Sequence, residues 1–344
     1  PLLAQKMFND EFIRWSILYS YSVMVATVLP VSIFMILSEC QQKKWRYGLS
    51  ALVCILALST TINKMDRINR PRALDWFSNV KENIFDPEFF HPNYNAMKIN
   101  KAIGMIPSGA RVSASSSVLS HLAQRRDIYH FPDVGEAEYI AAFTFPDYYL
   151  VPTGKYNAEI YKYVFSPDWN LVADEEPFFL FKKEPNSLPR YAAVDSMLCN
   201  VENMTADKAH LLASDGQFVD PANDRDSSRA HSGKFSIRSD PKIPYGLSLQ
   251  DTHIKAGDLL QISVWRYSVL KNAGSLDINF DKNHSWSTID GQNTDSNGWD
   301  QIMLYVKVPP HFTDFKIFVV NYGNNPVWFD DLKIVKYNRK KKGE

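Results

Sequence analysis

Residues 15–38 read WSILYSYSVMVATVLPVSIFMILS and residues 47–63 read YGLSALVCILALSTTIN, and neither stretch contains Asp, Glu, Lys or Arg. Each approaches the ~20 apolar residues that cross a hydrocarbon layer of ~30 Å. From about Asp66 onward no run compares with them. The chain is therefore expected to hold two transmembrane helices, over about residues 12–38 and 46–63, ahead of a large part that folds in water. The alternative is that one of the stretches is a buried helix of a soluble protein.

The connector Glu39–Arg46 (ECQQKKWR) is short, so the two helices are expected to form an antiparallel hairpin. Pro30 lies near the centre of the first stretch, and a proline inside a spanning helix suits a bundle whose neighbours satisfy the freed carbonyl. Lys43, Lys44 and Arg46 place the connector in the cytoplasm and the C-terminal part outside. Lys64, Arg67, Arg70 and Arg72 flank the second stretch and argue for the reverse. The chain opens Pro-Leu-Leu, without an initiator Met or a basic leader, and reads as a fragment of something longer.

Composition sets further bounds. The 344 residues carry a formal net charge of +0, which gives no electrostatic footprint for nucleic acid. Roughly 280 residues outside the membrane suffice for two cores. Three cysteines, Cys40, Cys54 and Cys199, build neither a disulfide framework nor a zinc knuckle. The 21 Phe, 17 Tyr and 8 Trp suit membrane interfaces, β-sandwich cores and sugar-stacking surfaces alike.

Residues 66–92 mix Trp76, Phe77, Phe85, Phe89 and Phe90 with charges, as an interfacial connector would. Over 93–185 the pattern turns to a small α/β domain. Asn93 caps a helix that ends at Pro107. Strands are expected at Arg111–Ala114, Asp127–Phe131, Tyr139–Phe143 and Tyr148–Val151. Helices are expected at Val118–Arg125 and Asn157–Phe165, before a hairpin-like pair ending in Phe178–Lys182. Strands alternating with helices imply a mostly parallel layer.

The runs Ile106–Ser115, Leu119–Arg125, Ile128–Pro132 and Asp147–Val151, with Trp169–Val172 and Phe179–Lys183, resemble the polytopic membrane family called domain of unknown function 2079, related to GT-C glycosyltransferases. The resemblance covers about residues 10–185. It implies further spanning helices before Pro1 and sugar transfer from a polyprenyl-phosphate donor. It also implies catalytic acids in an early outer loop that this chain lacks, so no catalytic residue is assigned. The expected localisation is a membrane, as a multi-pass chain with its C-terminal part outside the cytoplasm, on the periplasmic side of a bacterial inner membrane.

Beyond Asn186–Pro189 short alternating runs recur: Phe235–Ile237, Leu259–Tyr267, Ser275–Phe280, Gln301–Val308, Phe315–Asn321 and Val327–Val335. Gly, Asn, Asp and Pro clusters separate them, the signature of an antiparallel sandwich over 190–337. His231-Ser-Gly-Lys234, Ala256-Gly-Asp258, Trp299, Val308-Pro-Pro310, Tyr322 with Asn325, and Phe329–Ile334 resemble the jelly-roll domains of carbohydrate-binding modules. The expected fold is thus a membrane helical hairpin, a small α/β domain and an all-β jelly roll.

Sugar recognition needs exposed aromatic faces beside polar groups that reach hydroxyls. Trp286, in the polar segment Asn283–Ser287, is the first stacking candidate, against a poorly packed hairpin tip. Trp265 and Tyr322 join it, although Trp265 and Trp299 sit in patterns that suit core packing. His121 and Arg125 fall one helical turn apart and could face a lipid phosphate; the alternative is a surface His and an Arg lying over Leu122. Asp330 and Asp331 are candidates for structural Ca²⁺, which needs several hard oxygen ligands, against a solvated strand-end pair. The expected partners are the lipid bilayer and a glycan or polyprenyl-phosphate sugar. A non-enzymatic envelope module binding glycans or proteins through the jelly roll is the alternative function.

Overall fold

A computed structural model describes residues 23–65, 94–144, 153–175, 177–250, 254–270, 273–280, 285–309, 311–312 and 314–340. The chain divides into two compact units, Pro1–Pro71 with Lys81–Phe90, and Arg72–Val80 with His91–Glu344. The first unit holds helices α1 (Val23–Ser38) and α2 (Lys43–Met65). Among the described residues one helix, over Lys43–Asn63, is long and apolar enough to cross a membrane. Ile55, Leu56 and Leu58 on it are 57–63% exposed, apolar surface on successive sides that water penalises and lipid does not. Thr60 and Thr61 return their hydroxyls to the carbonyls of Leu56 and Ala57 at 2.7 and 2.8 Å, so neither polar group is left unpaired in an apolar setting. The expected start of the first span, residues 12–22, lies outside the described residues, as does the connector 66–92.

In the second unit, α3 (Ala96–Ile103) is capped by Asn95, whose side chain accepts from Lys98 N at 3.1 Å. Five strands follow: β1 (Val112–Ala114), β2 (Ile128–His130), β3 (Tyr139–Phe143), β4 (Trp169–Glu175) and β5 (Phe178–Lys183), in the spatial order β2-β1-β3-β5-β4. The β1 strand runs parallel to β2 and β3, while β5 runs antiparallel to β3 and β4. The sheet is therefore mixed rather than mostly parallel. Helix α4 (Ser116–Leu122) joins β1 to β2, and α5 (Thr153–Val164) joins β3 to β4. Side chains alternate across the sheet. Val112, Ala114, Ala141 and Phe143 meet α3 and α4 on one face, and Ile140 and Ala142 meet α5 on the other.

Two larger sheets make the sandwich. One has the order β15-β16-β12-β18-β10-β9, with β6 also paired to β18; the other is β14-β13-β17-β11-β8-β7. The first comprises β6 (Tyr191–Cys199), β9 (Arg225–Asp226), β10 (Ser236–Ser239), β12 (Leu259–Ser268), β15 (Gly291–Thr294), β16 (Asp300–Lys307) and β18 (Val327–Arg339). The second comprises β7 (Leu211–Leu212), β8 (Phe218–Pro221), β11 (Tyr245–Gln250), β13 (Gly274–Asn279), β14 (Ser285–Thr288) and β17 (Lys316–Asn321). Period-2 alternation sends Leu260, Ile262 and Val264 of β12, Leu276 and Ile278 of β13, and Ile317 and Val319 of β17 into one core. Each such fully buried side chain contributes roughly 1.5–3 kcal/mol.

The α/β layer rests on the outer face of the first of these sheets. Tyr161 of α5 stacks on Tyr305 of β16 with centroids 4.4 Å apart, and Phe165 lies 4.5 Å from Tyr337 of β18. Lys307 pairs with Asp174 at 3.3 Å, and Tyr191 donates to the other oxygen of that fully buried carboxylate at 2.6 Å. Burial pushes the Tyr305 phenol up to about 12.

Several boundaries differ from expectation for local reasons. The helix cap is Asn95, and Gly104 ends α3 before Pro107. Helix α4 begins among the serines rather than at Val118, because Ser115 takes the extended cap conformation at φ −65°, ψ 152°. Expected cap Asn93 and expected strand Tyr148–Val151 lie outside the described residues.

Candidate functional site

On β13 the odd-numbered positions point away from the core. A Cβ on Gly274 would come within 2.7 Å of Phe329, and Leu276 and Ile278 are fully buried, which fixes the inward phase. Ser275 and Asp277 lie on the opposite face, yet they are only 0% and 8% exposed. The Ser275 hydroxyl donates to the Asp277 carboxylate, which also takes a hydrogen bond from Ser287 of β14. Tyr322 follows β17 directly and shares a hydrogen bond with Ser275, making a row Tyr322–Ser275–Asp277–Ser287. Burial raises the Asp277 carboxyl above the usual carboxylate range, against the two hydroxyl donors that lower it.

Aromatic surface flanks this row. Tyr322 is 69% exposed and Tyr245 of β11 is 54% exposed. Tyr245 leans on Phe318 of β17, with ring centroids 6.1 Å apart at 55°. The Tyr322 phenol is raised by desolvation first, and also by Asp277 and Tyr245, so the three groups stand within electrostatic reach of one another. Two accessible phenol rings thus border a recessed carboxyl and hydroxyl row. Such a face can take the C–H surface of a flat, polyhydroxylated ligand on the rings and its hydroxyls on the row.

The other residues singled out in the sequence are scattered. Trp286 sits beside Ser287 but in the opposite phase. It pairs across the ladder with Ile278 and lies edge-on to Phe280 at 5.3 Å, partly buried against the core. The expected stacking platform is thus a packing residue, and its neighbour Ser287 is the one on the polar face. Trp265 belongs to the other sheet. Half-buried there and facing out rather than into the core, it stacks under His231 at 4.0 Å, and His231 meets the buried Trp299 edge-on at 5.7 Å. Tyr267 and Trp328 continue that patch, with the Arg229 guanidinium 4.2 Å above Tyr267. Trp265 and Tyr322 therefore do not share a site.

Asp330 and Asp331 are not a solvated strand-end pair. Asp330 is 0% exposed and accepts from the backbone N–H groups of His231, Ser232 and Asp331 at 2.8–3.1 Å. Asp331, in the left-handed conformation at φ 51°, takes His231 Nδ1 at 2.6 Å and Ser232 Oγ at 2.7 Å. Together they clamp the His231–Ser232 loop onto Trp265. Among the described residues no group of three or more His, Cys, Asp or Glu is disposed to hold a metal ion. Arg125 spends its guanidinium on the carbonyls of Pro107, Ala110 and Ile106, closing the chain after α3, so it is a structural tie rather than a phosphate contact. His121 lies exposed in the last turn of α4.

Residues 1–162 match the protein family described as "Predicted membrane protein (DUF2079)". No curated protein matches the chain. Solved structures similar to it include a family 16 carbohydrate binding module, 14% identical, covering 32% of this chain and 83% of that one, with a TM-score of 0.26. The C-terminal family 22 carbohydrate binding module of Clostridium thermocellum Xyn10B is 13% identical over 40% of this chain and 91% of its own, with a TM-score of 0.29. The CBM22-1 xylan-binding domain from Paenibacillus barcinonensis Xyn10C is 14% identical over 42% and 94%, with a TM-score of 0.28.

Proposed function

We propose that this chain is part of a multi-pass membrane protein whose soluble tail binds a glycan on the outer face of the β13–β17–β11 sheet. The observation that carries the reading is the juxtaposition of exposed Tyr322 and Tyr245 with the recessed Ser275–Asp277–Ser287 row. Burial already holds the polar groups in place, so a ligand would find them ordered and lose little to their immobilisation. In the wider reading, α1 and α2 form a membrane hairpin with the tail on the outer side. The protein's spanning helices would then transfer sugar from a polyprenyl-phosphate donor while the tail holds the acceptor. The family match over residues 1–162 supports the membrane part of that reading.

The test uses the full chain in lipid nanodiscs, screened on a glycan array and then titrated calorimetrically with the best hit. Tyr322→Ala removes a stacking ring and is expected to weaken binding about 10-fold. Asp277→Asn replaces the charge-assisted hydrogen bond to a sugar hydroxyl with a neutral one and is expected to weaken it about 10- to 100-fold. Trp286→Ala is expected to lower stability and leave the affinity of the folded protein unchanged. A well-folded chain that binds no glycan, or binds equally well in the Tyr322 and Asp277 variants, would sink this assignment. The jelly roll would then stand as a non-enzymatic module for protein partners.

A further inference from the structure

The α/β layer holds a pair of groups that glycan binding does not use. Strand β1 is central among the parallel strands, with Ala114 opposite both His130 of β2 and Ala141 of β3. The chain leaves β1 through α4 to β2 on one side and then returns to β3 on the other. The carboxyl end of β1 is therefore a topological switch point, where open α/β sheets form their crevices. Ser116, the first residue of α4, stands at that end, exposed, with its Oγ 2.7 Å from Nε2 of His130, the last residue of β2. His130 is half-buried and fixed on its strand, whereas Ser116 faces solvent.

A second observation points to the same end of the sheet. Thr144, one residue beyond β3, is 4% exposed, and its buried Oγ1 has no hydrogen-bond partner among the described residues. Leaving a buried hydroxyl unpaired costs roughly 1–3 kcal/mol, and a ligand that accepts from it would recover that cost. The neighbouring Ser115, 2% exposed, accepts from Phe143 N at 3.3 Å and ties the turn that leaves β1 to the end of β3. A serine on a strand-to-helix turn, a histidine nitrogen at hydrogen-bond distance and an uncommitted hydroxyl donor are the parts of a nucleophilic site.

We propose that Ser116 is the nucleophile and His130 the general base of an esterase-type site at the carboxyl end of β1, acting on a carboxylic ester. Ser116 Oγ attacks the ester carbonyl carbon as its proton passes to His130 Nε2. The carbon–oxygen bond to the alcohol breaks and His130 returns that proton to the departing alcohol. Water, deprotonated by the same nitrogen, then hydrolyses the acyl-serine, releasing the carboxylic acid and restoring Ser116. This proposal is independent of glycan binding by the sandwich.

The experiment treats the full chain in nanodiscs with a fluorophosphonate probe, which forms an Oγ–phosphorus bond and expels fluoride. The adduct is located by peptide mass spectrometry, with circular dichroism confirming the fold of every sample. One phosphonyl group on Ser116 is expected, none on Ser116→Ala, and an unchanged rate on Ser117→Ala. His130→Gln is expected to slow labelling at least ~100-fold, the loss typical of a removed general base. The proposal is overturned by no adduct on the folded wild-type chain, by an adduct mapping to another residue, or by a rate indifferent to His130→Gln. The mapping on the wild-type protein decides the question even where a variant fails to fold.

Discussion

Asp300→Ala is expected to destabilise the sandwich by about 3–5 kcal/mol, the usual penalty for stranding a buried charge. Arg266 is 0% exposed, and its phase on β12, following Leu260, Ile262 and Val264, points it into the core. Its guanidinium donates to the carbonyls of Gly274 and Ile289 and to the Asp300 carboxylate at 3.2 Å, while Nε has no partner among the described residues. Burial lowers the Arg266 pKa, and the Asp300 carboxylate is the first influence that raises it. Asp300 is itself held by Thr294 Oγ1 at 2.8 Å. Removing the carboxylate leaves a cation in the core whose remaining hydrogen bonds, among the described residues, go to two carbonyls, with Asp290 as the other charge that favours it. Urea unfolding followed by tryptophan fluorescence measures the loss. The double variant Arg266→Met with Asp300→Leu, which removes both charges, is expected to recover much of it. A single variant within ~1 kcal/mol of wild type would mean that water reaches Arg266 and solvates it.

The same residues show what was legible in the sequence. The runs at β12, β13, β16 and β17 announced themselves because apolar side chains recur at every second position, and burial follows that phase. Arg266 breaks the rule while keeping the phase: an inward position holds a charge, and its partners on β13 and β16, with the Ile289 carbonyl, make that tolerable. Trp286 misled for the converse reason. Its polar neighbours suggested an exposed ring open to stacking, whereas pairing with Ile278 turns its ring toward Phe280. Strand β11 (YGLSLQ) carries a glycine that interrupts the strand pattern, and Gly246 is there for packing: a Cβ would come within 2.8 Å of Val319. Ser275 and Asp277 belong to the alternating run SLDINF, and alternation puts them on the face opposite Leu276 and Ile278. Their meeting with Tyr322 and Tyr245 depends on which strands lie beside β13, and local pattern carries no information about that pairing.

Stability is also expected to fall as pH rises from about 4 to about 7, opposite to the trend that a salt-bridged carboxylate produces. Asp330 is raised to about 7, first by burial and then by the neighbouring Asp331 charge, against three backbone N–H donors that favour the ionised form. In the unfolded chain an aspartate titrates near ~3.9. Between these values the folded state holds a proton that the unfolded state has given up, so the native state binds more protons and stability declines with pH. The contribution is complete below ~4 and lost through ~7, with an upper bound of about 4 kcal/mol from the size of the shift. Asp277, also raised by burial, acts with the same sign. Asp207 and Asp226 are lowered and act oppositely, at the acid end of the range. Urea midpoints from pH 4.5 to 7.5 are expected to decline in the wild-type chain and to decline far less in Asp330→Asn; equal slopes in the two would remove Asp330 as the cause. Because the His231 and Ser232 amides favour the ionised carboxylate and Asp331 holds the His231 ring, the loop that covers Trp265 is expected to stay in place as Asp330 ionises, and the cost lies in burying its charge beside that of Asp331. An unchanged Trp265 contribution to the fluorescence, read as wild type minus the Trp265→Phe variant across the same range, checks this, and a change that precedes global unfolding would overturn it.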